Sequence, residues 1–222
     1  MPNPLSRNSE LEQRRDRVGQ PEQLELPLLP TRDLVLFPFM QAPLLVGREL
    51  SMQAVHQAEA TEDKLLFVCL QRRSEDENPD RVESLWDVGT VATIVRSAKV
   101  QDGRLKVWVQ GLTRAQVMAV LPSQDSISAA VTLRYDEDDA SAEPRLKLAS
   151  HVLAAQAETA ALQRQAREDV ERLLREGKLR SQELLPLLAE CDETEPGRFA
   201  DLLAASMSLP VAEAQSLLGL RS

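Results

Sequence analysis

The 222-residue sequence has few aromatic residues, two cysteines, two histidines and no long apolar run. Aromatic residues make up 3% of the chain, which disfavours ligands that are held by ring stacking, such as single-stranded nucleic acids and sugars. No window approaches the roughly 18 apolar residues of a membrane span, and no apolar segment follows the N-terminal charges as in a signal peptide. We therefore expect no membrane association and a cytoplasmic location.

The balance of charge is acidic. The chain carries 35 acidic and 26 basic residues, a formal net charge of -9. This charge repels phosphate backbones unless basic residues are locally concentrated, and no such concentration is visible along the sequence. The most basic stretch, residues 14–17, is offset by neighbouring glutamates. Nucleic acid is therefore a disfavoured partner.

The residues that most often carry nucleophilic chemistry are isolated from one another. Cys69 and Cys191 have neither the spacing of a zinc site nor that of a disulfide framework, so we interpret both as buried reduced thiols. His56 and His151 both lie in helical patterns without a nucleophile or an orienting group nearby. We expect an exposed or partly packed side chain at each histidine and no catalytic residue in this chain.

Phosphate and metal sites are equally unsupported. The only Gly-Lys pair, Gly177-Lys178, lacks the upstream glycine and preceding strand of a phosphate-binding loop, so it predicts a helix end. The acidic clusters at 75–77 and 136–139 lack the alternating ligand spacing that wraps a loop around calcium. We expect solvated loops there, with no cofactor and no metal bound by this chain.

Composition divides the chain into three segments. Residues 1–23 combine prolines and charges with almost no apolar residues, which predicts a disordered tail. Residues 24–136 show strand-like patterns and one helical pattern at 49–62, which predicts a mostly antiparallel sheet or small barrel carrying one helix. Residues 137–222 are rich in Ala, Leu, Glu and Arg at helical spacing, which predicts a helical subdomain.

Several elements are predicted within the β-rich segment. The prolines at 24–30 suit an edge strand or a strand end, and two short buried strands follow at 34–37 and 43–46. The apolar run 64–70 predicts a central strand. Asp102-Gly103 supplies the positive φ angles of a tight hairpin between runs 88–100 and 104–110. Gly111 predicts a junction, after which strands 115–121 and 127–135 complete the segment. In the helical segment, the apolar spacing from Leu146 to Leu173 predicts a first helix. A second is predicted at 181–189, and Pro196 and Pro210 mark the starts of two more.

Two places favour contact with other polypeptides. Phe37, Phe39 and Met40 form an apolar loop that suits adaptable binding of unfolded chains, although the same residues would also fit a loop folded back into the core. Ala98 and Val100 lead into the hairpin tip, where a partner meets little steric obstruction. Val100 would alternatively pack along the ribbon.

The order of these patterns resembles the N-terminal domain of the Lon protease family. The matching motifs read LPLLPTRDLVLFP at 26–38, PLLVGRELS at 43–51, VGTVA at 88–92, RFADLLAA at 198–205 and AEAQ at 212–215, with Asp102-Gly103, Val107, Gly111 and Arg114-Ala115 between them. The resemblance covers residues 24 to about 220. It implies an α+β fold in which a six-stranded pseudo-barrel is followed by a helical bundle.

The same resemblance implies a function. In such proteases this region captures unfolded or degron-bearing proteins and helps to assemble a homohexamer, while later segments carry the ATP and magnesium site and a Ser-Lys catalytic dyad. We therefore expect a non-catalytic recognition and assembly domain that is a piece of a longer ATP-dependent serine protease.

Three alternatives stay open. The first is a stand-alone Lon-domain adaptor. Such proteins more often have a histidine-phenylalanine-glutamate-proline motif at the position where this chain has Leu45-Val46-Gly47-Arg48. An RNA-binding barrel is supported by fold analogy alone. An independent hydrolase is opposed by the missing nucleophile, base and metal cluster.

Overall fold

The computed structural model describes residues 23–77, 79–123, 126–134, 149–176, 191 and 196–220. Of the predicted tail 1–23, residues 1–22 lie outside them and Gln23 begins a strand. The acidic cluster 136–139, Gly177 and the helix predicted at 181–189 also lie outside the described residues. The described residues form these elements: β1 (Gln23–Thr31), β2 (Gln41–Val46), α1 (Glu49–Glu59), β3 (Leu65–Leu70), β4 (Val88–Lys99), β5 (Leu105–Pro122), β6 (Ile127–Leu133), α2 (Ala149–Arg175), α3 (Pro196–Ser206) and α4 (Val211–Gly219).

The strands form one mixed sheet in the order β2-β5-β4-β3-β1-β6, and β6 also pairs with β5. The β1 and β3 strands run parallel, whereas the other pairs are antiparallel. In this set of pairings only β2 has a single partner strand. The predicted six strands with helices are thus confirmed, while the finer description as a pseudo-barrel followed by a helical bundle stays a prediction.

Strand alternation builds two apolar cores. Because successive side chains of a strand point to opposite faces, β3 places Leu66 and Val68 in one core and Phe67 and Cys69 in the other. The first core also receives Val55 and Ala58 from α1. A strand that is buried on both faces needs a continuous apolar sequence, which is why the run 64–70 predicted a central strand correctly.

The prolines of β1 are accommodated by a change of partner. Gln23 to Pro27 pair with β6, and Leu28 to Thr31 pair with β3. The prediction of an edge strand was wrong, since β1 has a neighbour on each side. Each half of β1 nevertheless pairs with one strand only, β6 for the first half and β3 for the second. The proline nitrogens, which have no N–H to donate, are tolerated on the side without a partner strand.

Residues 34–37 form a buried loop, so the strand predicted there was wrong. Two of their carbonyls accept hydrogen bonds from side chains in place of a strand ladder. The Thr31 hydroxyl donates to the Leu34 carbonyl at 2.7 Å, and the Thr90 hydroxyl donates to the Leu36 carbonyl at 2.5 Å. Side-chain donors of this kind allow an apolar loop to lie inside the protein.

The predicted hairpin is present, with Gly103 at φ +87° in its turn. The two strands predicted on either side of Gly111 form one strand, because β5 runs from Leu105 to Pro122. The predicted junction is present only as a register shift against β4, since Ala92 pairs with Gly111 and Val91 with Thr113. Gly111 is needed for a different reason. A Cβ added there would lie 2.2 Å from the Phe37 carbonyl oxygen, so only glycine allows the loop to approach the strand.

The helices follow the predicted positions closely. The α1 helix ends at Glu59, three residues before its predicted end, where the Thr61 hydroxyl donates to the Ala58 carbonyl at 2.7 Å. The α3 helix begins at Pro196, and Pro210 lies immediately before α4. Among the described helices, none is long and apolar enough to span a membrane.

Candidate functional site

The isolated titratable groups lie in unremarkable surroundings. The His56 side chain is half exposed, with Nδ1 3.6 Å from the Glu59 carboxylate one helical turn away. Cys69 and Cys191 are buried and form no disulfide, as predicted. Burial, with a further contribution from Asp87, raises the pKa of the Cys69 thiol to about 12, and the thiol donates to the Trp86 carbonyl at 3.1 Å. This thiol is therefore a poor nucleophile.

Within the ranges given above, no three His, Cys, Asp or Glu side chains come close enough together to hold a metal ion. The cluster 75–77 belongs to the described part and forms no such group. His151 lies within the helix α2.

The Phe37–Met40 loop folds against β5. The Phe39 N–H donates to the Gly111 carbonyl, and the Gly111 N–H donates to the Met40 carbonyl, both at 2.9 Å. Phe37 is 3% exposed and belongs to a core cluster, so it cannot touch a partner in this conformation. Phe39 and Met40 are half buried. Contact of this loop with a substrate stays a prediction.

Phe39 adopts a positive φ of 65°, which bulky side chains rarely do. Its ring packs against a cluster that contains Val170 of α2 and Phe199 of α3. The Arg198 guanidinium lies over the ring, 5.3 Å from its centre. The unusual backbone thus turns an aromatic side chain away from the sheet and onto the helices.

A buried ion pair fixes α3 to the sheet beside this loop. Arg114 of β5 donates through both terminal nitrogens to the two carboxylate oxygens of Asp201, and its Nε donates to the Leu218 carbonyl at 3.1 Å. Gln215 of α4 donates to the Val88 carbonyl at 2.9 Å. We call the loop Phe37–Met40, Arg114 and the helices α3 and α4 the junction.

The hairpin tip is exposed. The Val100 N–H donates to the Arg104 carbonyl at 2.8 Å, and Ala98 faces solvent while Val100 is half buried. Arg104 donates through Nε to the Asp102 carboxylate at 2.7 Å, and this hydrogen bond holds the pKa of Asp102 below its usual range. Both side chains of this pair are solvent-exposed. The pair therefore stabilises the turn without burying a charge.

The structure does not bring the predicted contact residues into one site. Ala98 pairs with Lys106 on β5, whereas the loop pairs with Gly111 five residues further along the strand. At a rise of about 3.3 Å per residue these positions lie roughly 17 Å apart. The loop and the hairpin tip are therefore two separate candidate surfaces.

A third surface between them was missed from the sequence. Side chains of β2, β5 and β4 that alternate with core residues point outward and lie opposite one another in two cross-strand rows. We call this surface the Trp108 face; its rows are Pro43, Trp108 and Arg96, and Leu45, Lys106 and Ala98. The Arg96 guanidinium lies 3.7 Å from the centre of the Trp108 ring, and the Lys106 ammonium 4.8 Å from it.

The comparison with known proteins gives a consistent family. Residues 25–222 match the family described as the ATP-dependent protease La (LON) substrate-binding domain. The Lon protease of Lawsonia intracellularis is 39% identical over 201 residues, which are 90% of this chain and 22% of that protein. The Lon protease of Geobacter metallireducens is 39% identical over 193 residues, 87% of this chain and 21% of that protein. The chain thus spans about a fifth of the length of these relatives.

Solved structures show the same fold. The N-terminal domain of the Mycobacterium avium complex Lon protease superimposes with a TM-score of 0.62 at 21% identity, over 90% of this chain and 91% of that one. A Lon N-terminal domain protein from Xanthomonas campestris gives a TM-score of 0.53, also at 21% identity, over 90% of this chain and 92% of that one. These structures show the fold, and the family match over residues 25–222 shows that the chain belongs to the family of Lon protease substrate-binding domains.

Proposed function

We propose that this chain is the non-catalytic recognition domain of an ATP-dependent Lon-type serine protease, and that it binds unfolded or degron-bearing proteins. The observation that carries the proposal is the match of residues 25–222 to a substrate-binding domain family.

The surface of the sheet supports this function. Large apolar side chains are exposed on three strands: Leu45, Val95, Met118 and Leu121. An unfolded polypeptide offers apolar side chains that a folded protein hides, so exposed apolar strands are suited to distinguish the two. Phe39, Met40, Ala98 and Val100 are proposed to contribute to binding, while Phe37 supports the loop from below.

The fold is proposed to divide into a pseudo-barrel at 24–136 and a helical subdomain at 137–222, after a tail at 1–23. Support for the first part comes from β6, which pairs with both β1 and β5. Support for a distinct second part comes from the Ala, Leu, Glu and Arg pattern of its sequence and from α2, α3 and α4.

The remaining properties of the whole enzyme are proposals that rest on the relatives. We propose a cytoplasmic homohexamer in which downstream domains bind ATP and magnesium and carry a Ser-Lys dyad, and in which this domain assists assembly. The coding sequence that follows residue 222 tests this directly. A phosphate-binding loop and a serine-lysine protease segment are expected there, and a stop codon would favour the stand-alone adaptor.

Binding is tested with one protein in two states. Fluorescently labelled α-lactalbumin, either native or reduced and carboxymethylated, is titrated with the chain and followed by fluorescence anisotropy. We expect the unfolded form to bind at least about ten-fold more tightly, since about 1.4 kcal/mol from buried apolar area is enough for that difference.

A matched pair of variants locates the binding surface. Leu45→Ser removes an apolar side chain from the sheet, where it is 52% exposed, and Leu162→Ser removes one from α2, where it is 64% exposed. The first variant is expected to weaken binding of unfolded α-lactalbumin and the second to leave it unchanged. Negligible binding of both forms by the unsubstituted chain would refute the recognition function.

A further inference from the structure

The Trp108 face is positively charged on a protein of net charge -9. Arg96 of β4 and Lys106 of β5 both lie over the Trp108 ring, and the six residues of the face include no acidic residue. Neither cation forms an ion pair with a carboxylate of the described residues. Two cations without a carboxylate partner in the described part of the chain leave local electrostatic potential that an external anion can use.

Contact with Trp108 prepares Arg96 for such an anion. At 3.7 Å from the ring centre, the guanidinium is in van der Waals contact with the indole. Its planar fork of N–H donors matches a carboxylate, and the stacking contact restricts its side-chain freedom before a ligand arrives. The covered ring face has no room for a nucleic-acid base, which favours a peptide ligand over single-stranded RNA.

The edge of the sheet shows how a peptide would be recognised. Among the described pairings β2 has one neighbour, so its outer edge is open, but Pro43 in the middle of the strand has no N–H to donate. A long backbone ladder along this edge is therefore interrupted. The outward side chains of the face remain as the main means of recognition.

We infer that the Trp108 face binds acidic, apolar-containing extended segments of unfolded substrate proteins. Carboxylates of the segment pair with Arg96 and Lys106, and an apolar side chain lies on Leu45 and Pro43. The distance from β4 to β2 is two strand spacings, about 10 Å, which an extended peptide crosses in about three residues. This inference rests on the proposed function and specifies the substrate chemistry of one surface.

Three short fluorescein-labelled peptides test the inference on the 222-residue chain. They share leucine and phenylalanine at the same positions and carry glutamate, glutamine or lysine at the others. We expect the glutamate peptide to bind about ten-fold more tightly than the lysine peptide at low salt, and added salt to reduce this preference. Arg96→Glu/Lys106→Glu is expected to reverse the order, and Arg96→Gln/Lys106→Gln to abolish the preference.

The control variant, Arg73→Glu/Arg164→Glu, reverses the charge of two exposed arginines outside the Trp108 face. It changes the net charge by the same amount and is expected to keep the preference for the glutamate peptide. Circular dichroism melting verifies that each variant is folded. Loss of the preference in the control, or its survival in the face variants, overturns the inference while binding of unfolded α-lactalbumin stands. Tighter binding of an oligouridine than of the glutamate peptide also overturns it. If unfolded α-lactalbumin and all peptides fail to bind, the proposed function fails as well.

Discussion

Two arginines of the sheet lie in opposite surroundings, Arg114 in the junction and Arg96 on the Trp108 face. Arg114 is 12% exposed and is paired through two hydrogen bonds with Asp201, which is 5% exposed. Arg96 is exposed, lies on an indole ring and has no carboxylate partner among the described residues. A buried charge must be satisfied inside the fold, whereas an exposed charge can remain available to a ligand.

The same contrast separates the two aromatic residues beneath arginines. Phe39 lies under Arg198, and its ring is packed against α2 and α3. Trp108 lies under Arg96 on the outside of the sheet. The junction therefore uses its aromatic residue largely to join sheet and helices, whereas Trp108 is half buried and holds Arg96 against its ring at the surface. We expect substitutions at Gly111 and at the Arg114–Asp201 pair to reduce stability, and substitutions in the face to reduce binding.

The largest expected effect comes from breaking the buried ion pair. Asp201→Leu leaves the Arg114 guanidinium buried without its carboxylate, which is expected to lower the free energy of unfolding by about 3–5 kcal/mol. Urea denaturation followed by circular dichroism measures this loss. Arg114→Met/Asp201→Leu removes both charges and is expected to be more stable than Asp201→Leu alone.

An exposed pair provides the control for this prediction. Arg172 and Asp169 on α2 are 62% and 40% exposed and one helical turn apart. Asp169→Leu is expected to change stability by no more than about 0.5 kcal/mol. Equal losses in Asp201→Leu and Asp169→Leu would show that burial does not distinguish the junction from the surface.

The second prediction concerns the glycine that brings the loop to the sheet. Gly111→Ala places a Cβ 2.2 Å from the Phe37 carbonyl oxygen, so the Phe37–Met40 loop must shift. We expect a loss of about 1–3 kcal/mol in urea denaturation, as for other overpacked sites. Binding of the glutamate peptide, which depends on the outer face of β5, is expected to remain.

Gly219→Ala is the matched substitution, because a Cβ there meets no atom within 4 Å. This position lies at the end of α4, where alanine is expected to be neutral or slightly stabilising. If Gly111→Ala were as stable as Gly219→Ala, the close approach of loop and strand would not be a constraint on the fold.

The sequence carried more information about the Trp108 face than was used. The runs 88–100 and 104–110 leave a three-residue loop around Asp102-Gly103, with Val100 opposite Arg104. Counting outward from that pair places Arg96 opposite Trp108 and Ala98 opposite Lys106, as the structure has them. The basic patch forms no run along the chain, since Arg96 and Lys106 are ten residues apart in sequence. A hairpin instead concentrates charge from residues that are distant in sequence but opposite in register.

Other features had no local signal. Arg114 and Asp201 are 87 residues apart, and nothing in either neighbourhood indicates the other. The apolar run at 34–37 fits a strand or a buried loop equally well, because the deciding hydrogen bonds come from the side chains of Thr31 and Thr90. Gly111 fits a turn or a close approach, and only the position of the loop backbone distinguishes the two.

The third prediction tests the interior of the sheet by pH. Burial raises the pKa of Cys69 from 9.0 to about 12, so the folded chain keeps a proton that the unfolded chain loses. The associated stability is fully present below pH 9 and is lost as pH rises toward 12. Above pH 9 we expect the free energy of unfolding to fall by up to about 1.4 kcal/mol per pH unit from this group.

Comparison with Cys69→Ala isolates this contribution. The variant is less stable at every pH because it leaves a cavity, but its stability is expected to fall less steeply above pH 9. Urea denaturation from about pH 7 to 10.5 gives both curves, which should run parallel below pH 8. Parallel curves over the whole range would mean that the thiol ionises in the folded protein as readily as in water.

The smallest effect is expected at the hairpin tip, where Asp102 and Arg104 form the exposed counterpart of the Arg114 pair. Their hydrogen bond holds the pKa of Asp102 below its usual range. Arg104→Gln removes the charged donor, so the pKa of Asp102 is expected to rise toward its ordinary value, as measured by NMR titration of the carboxylate. The urea midpoint at neutral pH is expected to stay unchanged, because both side chains remain in water whether or not they are paired. A stability loss as large as that of Asp201→Leu would contradict this, since it would make partner loss costly at the surface as well as in the junction.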